Sequence, residues 1–94
     1  MDMKLLFLAT LVVKLIADSF QPASVTVTPG TTVVFINKDD DAHTVTSTTG
    51  LFDSKGLDTN ASWKMTFNKP GTYKYFCELH PFMKGTIIVR AAHS

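Results

Sequence analysis

Cysteine is nearly absent from this chain: Cys77 is the single one among 94 residues. One thiol cannot build an internal disulfide framework, a four-cysteine zinc site or a thioredoxin-type pair. Charge of one sign is lacking too. Nine Lys and Arg against eight Asp and Glu leave a formal charge of +1, with no basic run and no acidic tail. Nucleic-acid binding therefore has no electrostatic footing. Long apolar runs are missing as well. The stretch Leu5–Val13 is too short to span a bilayer, which takes about 20 residues. Neither an internal repeat, a low-complexity segment, a second domain nor a long amphipathic helix can be found. What remains, 45% hydrophobic and 18% charged, is the composition of one folded domain.

The amino terminus supports two readings. Lys4 followed by Leu5-Leu6-Phe7-Leu8-Ala9 and onward has the form of a short charged region and an apolar core of an export leader. The same residues also suit an apolar first strand. Cleavage after Ala17 would set bulky Leu15 where a small residue is wanted, and no nearby cysteine offers a lipid anchor. Residues 1–12 are thus an export leader or an extension of the first strand, and 13–94 are the domain. A leader of this kind is the one link to a membrane that the sequence offers.

The rest reads as β. Ser24-Val25-Thr26-Val27-Thr28 alternates apolar and polar before a turn at Pro29-Gly30. Thr31 to Asn37 is β-branched and aromatic, as a well-buried strand should be. Lys38-Asp39-Asp40-Asp41 reads as a solvated turn, and His43-Thr44-Val45-Thr46 resumes strand chemistry. Thr49 to Asn60 is loop, with room for one helical turn. Trp63, Met65 and Phe67 share one strand face, Tyr73, Tyr75 and Cys77 another, and Ile87 and Val89 belong to a last strand. Six to eight short strands at this spacing predict an all-β, antiparallel Greek-key sandwich.

Chemistry gathers at Cys77-Glu78-Leu79-His80-Pro81-Phe82-Met83, which sets a thiol, an imidazole and a thioether three residues apart. Pro81 removes a donor and pushes His80 out of the helical region, so the run is a loop between two strands. A tight loop can turn all three side chains toward one point. His43 is the natural fourth donor, at the start of an upstream strand. Structural zinc prefers four Cys and His ligands, and a thioether suits it poorly. Two His and one Cys with a weak Met is instead the arrangement of a blue-copper site.

Tyr73-Lys74-Tyr75-Phe76-Cys77-Glu78-Leu79-His80-Pro81-Phe82-Met83-Lys84-Gly85 resembles the copper-binding loop of the cupredoxins, and its short spacing is most like the amicyanin branch. Phe35-Ile36-Asn37-Lys38-Asp39 followed by His43-Thr44-Val45 is similar to the family's other ligand segment. Phe20-Gln21-Pro22, Val25-Thr26-Val27 and Lys69-Pro70-Gly71-Thr72-Tyr73 extend the resemblance over residues 20 to 90. It implies one type 1 copper held by His43, Cys77, His80 and Met83. It also implies that Asn37 ties the two ligand loops together, and that a backbone N–H from the His43 segment, where Thr44 adjoins, caps the sulfur. In the amicyanin branch a proline precedes the loop histidine; here Leu79 keeps its N–H, which is expected to reach the Cys77 sulfur as well.

These readings lead to a small electron carrier rather than an enzyme, since four protein ligands leave no position for substrate. His80 is expected to present its ring edge through an apolar patch that includes Pro81 and Phe82, for weak, transient docking of a monomer on a cytochrome or oxidoreductase. The resemblance implies a periplasmic or other extracytoplasmic location. The alternative function is copper delivery, with the metal as cargo. His93 in the tail reads as a bystander. With Cu(II) the ligand set predicts an intense thiolate-to-copper absorption band in the visible. Cys77→Ser is expected to abolish it without unfolding the protein; a Cys77→Ser protein that stays blue would contradict the assignment.

Overall fold

The structure, a computed structural model, describes residues 9–91. Eight strands follow one another: β1 Thr10–Ile16, β2 Ser19–Gln21, β3 Ser24–Val27, β4 Thr31–Asn37, β5 Thr46–Ser47, β6 Ser62–Phe67, β7 Gly71–Phe76 and β8 Lys84–Val89. They form two four-stranded sheets, β2-β1-β4-β6 and β3-β8-β7-β5. The expected sandwich is present, and its sheets are mixed rather than wholly antiparallel. β1 runs parallel to β4, from Thr10 beside Thr32 to Leu15 beside Asn37. β3 runs parallel to β8, while the other pairings are antiparallel. Period-two alternation looks the same in either direction, so the sequence pattern could not show this. The parallel pairs arise because Pro22 and Ala23 carry the chain from one sheet to the other.

Thr10, Leu11 and Val12 belong to β1. Leu5 to Leu8, like His93, lie outside the described residues. Among the described residues no helix is long and apolar enough to cross a membrane. Thr49 to Asn60 contains no helical turn. Asp53 instead bridges Thr46, and Leu57 bridges His43, so this segment closes the sandwich beside the 38–45 loop.

Alternation decides which side chains fill the space between the sheets. Val33, Phe35 and Asn37 of β4 point inward with Val13 and Leu15 of β1 and Phe67 of β6. Opposite them lie Val27, Tyr75, Ile87 and Val89. Trp63 and Met65 are only partly buried and pack against this core. Tyr75 joins the layers: its ring meets Phe20 edge-on at 4.8 Å and Phe35 at 5.4 Å. It covers Gly85, its cross-strand partner, where an added Cβ would collide with the ring. Its hydroxyl is buried without a hydrogen-bond partner, and burial pushes the phenol pKa up.

Ala17 and Asp18 link β1 to β2 as a two-residue turn, both with φ of 55°. Such primed turns match the sheet twist and favour Asn-Gly, because side chains crowd the left-handed region. Relieving that crowding at Ala17 is worth about 1–2 kcal/mol, against about 0.5–1 kcal/mol for glycine's greater freedom when unfolded. Ala17→Gly should therefore stabilise the domain by up to about 1 kcal/mol, a rise in melting temperature of several degrees. Thermal unfolding by circular dichroism checks this, and a lower melting temperature would contradict it.

Candidate metal centre

The site sits at one end of the sandwich, where β4 and β7 stop. Cys77 follows the last residue of β7, and its N–H donates to the Met83 carbonyl at 3.1 Å, extending the β7–β8 ladder by one rung. Inside that rung the His80 N–H reaches the Cys77 carbonyl at 3.2 Å, and the Met83 N–H reaches the His80 carbonyl at 2.8 Å. Two successive turns thus fold residues 77–83 tightly, with Pro81 at a position that needs no backbone donor. Cys77 and Met83 end buried, and His80 is half-buried.

His43 comes from the loop after β4. It is locked to Leu57 by reciprocal backbone bonds of 3.1 and 2.8 Å, and its ring is fully buried. Thus His43 belongs to an isolated bridge, and strand structure resumes only at Thr46. Its Nδ1 lies 3.6 Å from the Cys77 sulfur, and the His80 Nδ1 lies 3.9 Å from the same atom. All three donor atoms fall within 4.8 Å of one another. The two imidazoles meet edge to face at 4.8 Å. Three lone-pair donors aimed at one buried point are disposed to hold a cation. One thiolate and two imidazoles, with Met83 buried at the end of the same loop, lack the fourth Cys or His of structural zinc and fit copper.

Matching sequences agree with this geometry. The profile of the Cupredoxin-like domain matches residues 8–89. The chain belongs to the cupredoxin-like family. It is 34% identical to amicyanin-alpha of Methylorubrum extorquens over 82 residues, covering 82% of this chain and 69% of that one. Plastocyanin of Scenedesmus fuscus is 35% identical, with 83% of this chain and 97% of the other covered. Against amicyanin of Paracoccus versutus the identity is 36%, and the chain spans 53% of that protein's length. Among solved structures, a Cu(I) form of an amicyanin variant superposes with a TM-score of 0.82 at 27% identity, over 86% of this chain and 82% of that one.

The supporting groups of this cupredoxin differ in part from expectation. Thr44 is the sulfur's donor, its N–H lying 3.3 Å from Cys77 Sγ. Its hydroxyl accepts the Glu78 N–H at 2.8 Å, so Thr44 ties the two ligand loops together. Asn37 does not make that tie. Fully buried, it donates to the carbonyls of Asp41 and Leu57 at 2.8 Å each and accepts the Asp39 N–H at 2.9 Å. It therefore shapes the 38–43 loop and anchors it to the Leu57 segment. The Leu79 N–H makes no bond to sulfur. The Cys77–His80 turn places Leu79 at its outer corner, with the side chain 56% exposed.

Asp39 went unrecognised in its run of three aspartates. Asp40 and Asp41 are exposed as a solvated turn would be, but the Asp39 carboxylate is 16% exposed and lies 2.8 Å from His43 Nε2. The four-residue spacing to His43 is the signal that could have found it. Burial alone would raise the Asp39 pKa; donors from Asp18, His43 and Ala17 outweigh it and hold the carboxyl below its ordinary value. A depressed folded pKa contributes stability above the unfolded value and loses it as pH falls through the folded one.

Proposed function

We propose that this cupredoxin is a blue-copper carrier of single electrons, with His43, Cys77, His80 and Met83 as the ligands of one copper. The observation that carries this reading is the convergence of two imidazoles on the buried Cys77 sulfur. Copper held there would supply a one-electron couple between Cu(I) and Cu(II). The chain's own contribution is a fixed coordination sphere: His43 is pinned through Leu57, Cys77 is capped by Thr44, and the 77–83 turn has little freedom. A sphere that does not rearrange keeps the reorganisation between oxidation states small, and that favours fast exchange.

Three features support transient docking around His80. Phe82 is 68% exposed and Leu79 56%, Pro81 is exposed, and the Phe82 ring stands 6.0 Å from that of His80. A small apolar surface around a half-buried ligand brings a partner close to the metal while keeping the complex short-lived. Redox proteins such as a cytochrome or oxidoreductase fit this role, met by a monomeric carrier outside the cytoplasm, in a periplasm or comparable compartment. Delivery of copper as cargo is less consistent with donors buried in a braced loop, since handover needs them exposed.

Spectroscopy and kinetics test the reading together. The Cu(II) protein should show the visible charge-transfer band and a reversible one-electron voltammogram, and copper should displace zinc in competition. Phe82→Asp should slow electron exchange with a redox partner several-fold while band and potential stay unchanged. Stoichiometric zinc with no copper uptake would overturn the copper assignment, and an unaltered exchange rate would move the docking surface elsewhere.

A further inference from the structure

Three nitrogen atoms converge on one carboxylate. Asp39 Oδ1 accepts the Ala17 N–H at 2.7 Å, and Oδ2 accepts the Asp18 N–H at 2.9 Å and faces His43 Nε2 at 2.8 Å. At 2.8 Å two lone pairs would repel, so Nε2 must carry a proton and donate it. A neutral ring with its proton there keeps its lone pair on Nδ1, the atom 3.6 Å from the Cys77 sulfur. Asp18 lends no comparable contact, since its carboxylate is 3.8 Å from Nε2 and half-exposed. Only an ionised carboxylate can accept from three donors; an asparagine would turn its amide hydrogens toward at least one of them.

We infer that Asp39 is a positioning residue of the metal centre, fixing His43 as the Nε2–H tautomer and lowering the centre's reduction potential. A carboxylate that accepts from an imidazole raises the electron density on the far nitrogen. Its negative charge, half-buried against the ring, favours the more positive oxidation state of a metal beside it. Both effects favour Cu(II) over Cu(I). The same carboxylate gathers both N–H groups of the left-handed Ala17–Asp18 turn. The β1–β2 hairpin is thereby fastened to His43 through one side chain. The potential rests on the copper reading, whereas the tautomer does not.

Long-range proton–nitrogen NMR on the metal-free native protein near neutral pH reads the tautomer directly. The expected result is a protonated His43 Nε2; a bare Nε2 with the proton on Nδ1 would overturn the inference. In the copper-loaded protein, Asp39→Asn should shift the Cu(II)/Cu(I) equilibrium roughly tenfold toward Cu(I), about 59 mV upward for one electron. Ala17→Gly, which alters the turn but keeps the carboxylate, should leave the potential in place. A potential unmoved by Asp39→Asn with the visible band intact would show that Asp39 serves the turn alone. Should native protein take up no copper, the copper reading fails while the NMR result still decides whether Asp39 holds His43. If Asp39→Asn does not fold, that native measurement decides as well.

Discussion

Thr44 holds the two ligand loops at one point. Its N–H donates to the Cys77 sulfur and its hydroxyl accepts the N–H of Glu78, so the side chain of one residue of the 77–83 turn and the backbone of the next are fixed by one residue of the other loop. Each bond contributes only about 1 kcal/mol to stability. Their value is geometric. They set the distance between His43 and Cys77, which come from sequence positions 34 residues apart. Without them the donors would still be present in the chain, but the loops would be joined only from the Thr46–Phe76 pairing onward and by side-chain packing.

Around that point, buried and half-buried polar groups are not left orphaned. Asn37 satisfies three partners, Asp39 three, and the His43 backbone is paired on both sides with Leu57. A buried polar group is tolerated when its hydrogen bonds are made, and breaking one exposes the full desolvation penalty of its partner. The network therefore resists displacement more than its net stabilising energy suggests. That resistance turns a loop region into a coordination sphere suited to electron transfer. Among the described residues the tyrosine at the centre of the sandwich is the exception, with a hydroxyl that has no partner there and a ring that serves packing between the sheets.

The four ligand candidates were legible in the sequence because copper chemistry restricts residue types, and three of them lie within one seven-residue loop. His43 was legible through its place just upstream of strand chemistry and the nearby Asn37, although the structure sets it in an isolated bridge before β5. Strand direction was hidden, since alternation carries no sign, and the parallel pairing of β1 with β4 follows from a crossover that composition does not mark. Asp39 was hidden for another reason: three consecutive aspartates look alike until the backbone decides which one turns inward. Asn37 was assigned to the wrong partner because a buried amide can bond any carbonyl in reach, and the 52–57 segment, read as loop, supplies the nearer one. Leu79 shows the limit of reasoning from one substitution. Retaining an N–H does not aim it, and the turn points this one away from sulfur.

The account requires that the two loops are already fixed in the metal-free protein. Amide hydrogen exchange followed by NMR on that form tests this most directly, residue by residue. The N–H groups of Thr44 and Glu78 should exchange nearly as slowly as those of core strand residues such as Phe35 and Ile87. Exchange of both at the rate of an exposed loop amide such as Asp40, with the strands still protected, would show that the site is not preformed and would contradict the account.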